Sequence, residues 1–164
     1  MNATIVVYGS STGTCEAIAD RIAKKLGCEA INVQNLTADV VSNNKNLILG
    51  TSTWGAGEMQ DDLYDGLKVL QGADLSDKTI ALFGCGDCGS YSDTFVGGMG
   101  ELYNGIKSSG AHFVGSVGTD DYSFDDSEAL VDGKFIGLPL DDVNEDDKTD
   151  SRIDAWIADI LPTL

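Results

Sequence analysis

Ser10, Ser11, Thr12, Gly13 and Thr14 form an unbroken run of hydroxyl and glycine residues. The run follows an apolar stretch that ends at Gly9 and precedes a stripe of Ile18, Ala19, Ile22, Ala23 and Leu26. The continuous apolar stretch reads as a buried strand and the stripe as one face of a helix. A strand that enters a helix through such a loop aims unpaired backbone N–H groups and the positive end of the helix dipole at one point. Small side chains let a tetrahedral anion approach, and the hydroxyls can donate to its oxygens. The chemistry is phosphate binding. A Walker loop needs GxxxxGK[ST], yet no Lys or Arg occurs between Met1 and Arg21, and Gly9 and Gly13 do not make GxGxxG. Neutral donors of this kind suit a phosphate monoester that is held and not transferred.

Two more stretches combine small residues with an aromatic. TSTWGAGEMQDD (51–62) and CGDCGSYSD (85–93) both read as turns after a buried strand. A Trp in a Gly-rich turn is poorly placed for the core, because turns face solvent. Trp54 and Tyr91 could flank the two faces of a planar heterocycle, with Asp87 and local backbone groups at its polar edge. Gly55 permits backbone conformations closed to other residues, so its carbonyl can reorient. A phosphate cradle and an aromatic sandwich together describe flavin mononucleotide (FMN). Cys85 and Cys88 form a CxxC, but a thioredoxin-type dithiol opens a helix, and zinc or iron–sulfur sites need further ligands. Both cysteines are expected as small residues lining the ring pocket, with no metal. His112, the one histidine, is expected to be structural.

The elements that must position these loops alternate. Strands are expected at 3–9, 29–33, 46–50, 79–84 and 112–118. Helices are marked by the stripe ending near Gly27, by Leu63, Leu67 and Leu70, by Phe95, Met99, Leu102, Tyr103 and Ile106, and by Ile153, Trp156, Ile157, Ile160 and Leu161. Alternation implies an α/β fold, a doubly wound five-stranded parallel sheet with helices on both faces. Ligands of such sheets sit outside the carboxyl ends of the strands, where all three unusual turns fall. The acidic stretch 119–133 breaks the pattern before KFIGLPL (134–140) resumes it, which reads as an insertion splitting the last strand. No linker or repeat divides the chain, so 1–164 is expected to be a single domain.

Charge narrows the partners. Twenty-seven acidic residues against 10 basic give a net charge of −17 over 164 residues. Nucleic acid and anionic membranes are repelled, whereas a basic protein surface is steered in. No apolar run reaches the length of a membrane span. MNATIVVYG has no basic leader region and enters a strand at once, so a cytoplasmic location is expected. The scatter of Cys15 and Cys28 argues against a disulfide framework.

GSSTGTCE (9–16), STWGAGEMQDD (52–62) and FGCGDCGSYSDTF (83–95) together resemble the phosphate loop and the two flavin loops of the flavodoxins. The excursion in the fifth strand is similar to that of the long-chain subgroup. The resemblance implies a strand order 2-1-3-4-5 and non-covalent FMN. It also implies a monomeric low-potential one-electron carrier, not an enzyme, that works through the semiquinone/hydroquinone couple. Its partners would be redox proteins with basic docking surfaces, a reductase donor and a low-potential acceptor. By motif, Ser10, Ser11, Thr12, Gly13, Thr14 and Cys15 would hold the phosphate. Ser52, Thr53, Trp54, Gly55 and Ala56 would form the first flavin loop, with Gly55 presenting its carbonyl to the ring N5. Cys85, Gly86, Asp87 and Cys88 would wrap the pyrimidine edge, with Tyr91 stacked on the ring and Asp93 beside it. The family loop reads TGNT where this chain has Thr14 and Cys15; a thiol in place of a hydroxyl donor would weaken phosphate binding by about 1 kcal/mol. A phosphoacceptor receiver domain is excluded, since Gly9-Ser10 and Gly50-Thr51 stand where it needs acidic residues. The alternative is an FMN-dependent NAD(P)H/quinone oxidoreductase of the same fold; a pure binding module is a third reading.

Overall fold

Apolar runs become strands and striped segments become helices, in the order β1 (Thr4–Gly9), α1 (Thr14–Leu26), β2 (Glu29–Asn32), α2 (Ala38–Asn43), β3 (Asn46–Trp54), β4 (Glu58–Met59), α3 (Asp62–Gln71), β5 (Thr79–Cys85), α4 (Gly97–Ile106) and β6 (His112–Val114). A small hairpin, β7 (Leu130–Val131) and β8 (Lys134–Phe135), then precedes β9 (Leu138–Leu140) and α5 (Asp146–Ile160). The structure is a computed structural model and describes residues 1–54 and 57–164. Among these residues no helix is long and apolar enough to cross a membrane.

Parallel pairing gives the order β2-β1-β3-β5. The fifth position is shared: β6 pairs with Thr79–Ala81 at the start of β5, and β9 with Phe83–Cys85 at its end. The sheet is thus the expected doubly wound one, with its last strand split. HFVGSVG is shorter as a strand than expected, because Gly115 turns to a φ of +86° and its carbonyl accepts from Trp156 Nε1 at 2.8 Å. Of KFIGLPL, only Leu138–Leu140 joins the main sheet.

Strand alternation divides the core between the two faces. Ile5, Val7, Leu47, Leu49, Ile80 and Leu82 pack against Leu63, Leu70, Met99, Leu102 and Ile106 of α3 and α4. Val6, Ile48, Ala81 and Phe83 pack against Ile18, Ala19, Ile22, Ile153 and Trp156 of α1 and α5. Gly50 is required between them, since a Cβ there would lie 2.0 Å from the buried Phe83 ring. The polar stretch before β3 contains the unexpected α2, started by Thr37, whose hydroxyl accepts from Val40 N–H. Leu161, expected on the apolar face of the last helix, instead follows α5 in a 3₁₀ turn and is exposed.

The acidic excursion is more anchored than its composition implies. Tyr122 and Phe124 pack against Phe95 and Phe135 with tilted and edge-on rings. The Arg152 guanidinium lies 4.0 Å from the Tyr122 ring centre and pairs with Asp121 and Glu145, each at 3.1 Å.

Candidate functional site

Register places the ends of the strands in one row. Gly9 lies opposite Thr51, and Thr51 opposite Gly84; one residue on, Ser52 lies opposite Cys85, and Cys85 opposite Leu140. The loops after β1, β3, β5 and β9 therefore leave the sheet side by side. A cleft opens among them, lined by Thr12 and Thr14, by Ser52, Thr53 and Trp54, and by Cys85, Gly86, Asp87 and Tyr91. Nine of the sequence-derived site residues thus come together. Among the described residues no lysine or arginine lines this cleft.

The first loop is held lightly. Ser10 Oγ accepts from Gly13 N–H at 3.1 Å, and Ser11 Oγ accepts from Gln60 Nε2 at 3.1 Å. Gly13 adopts φ +90°, and a Cβ there would meet nothing within 4 Å, which leaves room for a bulky anion at the start of α1. Ser11, Thr12, Gly13 and Thr14 are exposed, and the first-turn N–H groups of α1 have no partner within the helix.

Cys15 departs from the expectation. It is fully buried, because it shares the stripe of Ile18, Ala19 and Ile22 that packs on the sheet. The Cys85 thiol beside it and burial push the Cys15 thiol well above its ordinary value. With no accessible surface, the thiol is not placed to donate to an anion in the loop.

The second loop is not a free turn. β3 continues through Thr51–Trp54, since those residues still pair with β5 and then, antiparallel, with β4 (Thr53 opposite Met59, Trp54 opposite Glu58). Trp54 therefore projects from a hairpin arm, 40% exposed, and its Nε1–H donates to Ser52 Oγ at 2.8 Å. Two bonds tie the hairpin to α4: Gly98 N–H donates to Thr53 Oγ1 at 3.1 Å, and Met59 N–H to Glu101 Oε1 at 3.0 Å. Gly57 meets Gly97 so closely that a Cβ on Gly97 would lie 2.8 Å from it. Gly55 and Ala56, expected in the first flavin loop, lie outside the described residues.

The third loop is strapped from a distance. The Asp87 carboxylate accepts from Gly89 N–H (3.1 Å), Ser90 N–H (2.9 Å) and Asn144 Nδ2 (2.7 Å), and the Ser90 and Asn144 bonds hold it below the ordinary carboxylate range. The buried Asp141 carboxylate accepts from Cys88 N–H (2.9 Å), Val143 N–H (3.1 Å) and Asn144 N–H (2.9 Å). Tyr91 stands out at 55% exposure. Cys88 and Asp93, both expected at the site, do not line the cleft. The Cys88 thiol turns toward Asp141 and Glu145, and burial followed by the Asp141 carboxylate pushes it up to about 12. Those three groups lie within 4.8 Å of one another, but the Asp141 oxygens accept backbone bonds and Glu145 is paired with Arg152 and Lys148. The cluster is a structural strap.

Thr94 and Phe95, which fall within the 83–95 motif but were given no place at the site, complete the lining with Val96, Asp142 and Val143, which sequence reading missed. Asp142 and Val143 follow β9 almost at once, so the rule that ligands lie beyond carboxyl ends points to them once β9 is recognised as a separate strand. Val96 is buried in the left-handed region at φ +46°, a rare conformation for a β-branched residue and a locally strained one.

Residues 6–156 match the protein family described as Flavodoxin. Flavodoxin 1 of Azotobacter vinelandii is 45% identical over 160 residues, covering 93% of this chain and 92% of that protein. The flavodoxin of Helicobacter pylori is 38% identical over 156 residues, 94% of each chain. A solved structure of Fusobacterium nucleatum flavodoxin bound to flavin mononucleotide superposes with a TM-score of 0.93 at 32% identity, over 100% of this chain and 99% of that one. With family, fold and cleft in agreement, the chain belongs to the flavodoxin family.

Proposed function

We propose that the cleft binds FMN and that the protein is a one-electron carrier between redox proteins, without a small-molecule substrate of its own. The observation that carries this reading is that Thr12 and Thr14 of the neutral hydroxyl loop share one cleft with the two exposed aromatics Trp54 and Tyr91. The residues fit the group. Ser10 to Thr14 offer hydroxyls and first-turn N–H groups to a phosphate, and the open space at Gly13 admits it. Trp54 and Tyr91 supply ring faces for stacking. Cys85, Gly86 and Asp87 border the remaining edge, and Gly55 belongs to the same assignment by its place in the sequence. FMN supplies, when bound, a centre that takes up and releases electrons singly.

This chain's residues bias that chemistry. Asp87 and Asp142 line the cleft, and no cation among the described residues faces them, so added negative charge in the cleft is disfavoured. The excess of acid over base supports docking to basic faces of partner proteins, with association slowed by salt. A monomeric carrier in the cytoplasm fits these features.

The test is a titration of the purified protein with FMN, followed by stepwise anaerobic reduction. Uptake of one FMN and two resolved one-electron steps are expected. A single two-electron step coupled to NAD(P)H oxidation would assign the protein to the oxidoreductases of this fold instead. A protein that takes up no FMN removes the reading.

A further inference from the structure

Two buried thiols lie beside the cleft, and the function proposed above uses Cys85 only as a wall and Cys15 not at all. Strand alternation places Ala81, Phe83 and Cys85 on the α1 face of β5, and helical spacing places Cys15 on the stripe that packs there. Cys15 has no exposed surface, Cys85 retains 8%, and the two pack in one core cluster, where Cys85 is the neighbour that most perturbs the Cys15 thiol. They differ in access, since only Cys85 lines the cleft. Both are unbridged. Cys88 faces the Asp141 carboxylate, and Cys28 lies beyond the far end of α1.

We propose that Cys15 and Cys85 are an oxidisable dithiol, in which Cys85 reacts with a hydroperoxide entering the open cleft and Cys15 closes the disulfide. In the first step Cys85 sulfur, having lost its proton, attacks one peroxide oxygen. The O–O bond breaks, Cys85 becomes a sulfenic acid, and the other oxygen leaves as water. In the second step Cys15 sulfur attacks Cys85 sulfur, the S–O bond breaks, and the hydroxyl leaves as water with the Cys15 proton. Two thiols and one hydrogen peroxide thus give one disulfide and two waters. Division of labour follows from burial, since Cys15 is out of reach of solvent and serves only to resolve the sulfenic acid. The bond would tie the first turn of α1, beneath the hydroxyl loop, to the end of β5. A flavin seated in the cleft covers the exposed face of Cys85, so occupancy gates the reaction. This gating rests on the function proposed above, whereas the dithiol does not.

The experiment treats the full-length protein, with and without bound FMN, with hydrogen peroxide, then alkylates, digests and maps it by mass. In FMN-free protein a peptide pair joined through Cys15 and Cys85, lighter by two hydrogen atoms, is expected, with Cys28 and Cys88 alkylated. Cys85→Ala should abolish the link, and Cys15→Ala should leave a sulfenic acid on Cys85 that dimedone traps. Links through Cys88 or Cys28, sulfinic Cys85 without a link, or four intact thiols would overturn the proposal. Saturation with FMN, followed by its quenched fluorescence, should slow the link by about tenfold or more; equal rates overturn the gating. A protein that forms the link yet takes up no FMN removes the proposed function and leaves the dithiol standing.

Discussion

The loop after β1 and the loop after β5 border the same cleft but are built in opposite ways. The first, Ser10 to Thr14, is short, largely exposed and shaped mostly by its own residues: a bond from Gly13 N–H to Ser10, one left-handed glycine and the helix it opens, with one distant bond from Gln60 to Ser11. The second is held by partners more than 50 residues away, with Asp141 gripping Cys88 and Asn144 gripping Asp87. A locally encoded loop offers bare donors to a ligand. A remotely strapped loop offers a wall whose position depends on the rest of the fold.

Substitutions sharpen that contrast. Asp141→Ala removes the acceptor of three backbone N–H groups in a buried place and is expected to lower stability by about 3 kcal/mol. Chemical denaturation measures it, and a loss below about 1 kcal/mol would show the strap to be unimportant. The same carboxyl has a pH signature. Burial alone would raise it, but the bonds from Cys88 and Asn144 hold it below its ordinary value. A depressed carboxyl stabilises the fold above its unfolded pKa of about 3.9, and that contribution is lost as pH falls through the folded value. Acid unfolding should therefore be less steep in Asp141→Asn than in the parent.

Trp54→Ala is expected to leave stability within about 0.5 kcal/mol and to weaken FMN binding by about 1–3 kcal/mol, read by fluorescence titration. Unchanged binding would take Trp54 out of the site. Asn144→Ala, which frees Asp87, should lower stability by about 1 kcal/mol with a smaller effect on FMN. Ser11→Ala, at an exposed hydroxyl bonded to Gln60, should change stability by no more than about 0.5 kcal/mol. Equal losses from Ser11→Ala and Asp141→Ala would erase the distinction between the two loops.

The contrast also marks what the sequence discloses. The hydroxyl run, the strand before it and the striped helix after it are legible because spacing along one segment determines them. The split last strand was legible as an interruption between two apolar pieces. What escaped depends on contacts between distant segments. Thr51–Trp54 read as a turn because their small residues conceal the pairing with Cys85 and Glu58. Cys15 read as part of the loop because the motif placed it there, while helical phase buries it. Tyr122 and Phe124 were hidden among aspartates, and only the fold brings Phe95 and Phe135 to them.

The shared fifth position of the sheet also bears on the order in which the molecule forms. The amino half of β5 finds its neighbour at residues 112–114, within one helix of chain, but the carboxyl half must wait for residues 138–140. Closing the longer loop carries the greater entropy cost, and pairings distant in sequence form late. As the chain emerges from the ribosome, the end of the sheet farthest from the cleft can consolidate first, and the edge that bears the cleft is sealed only once β9 has followed.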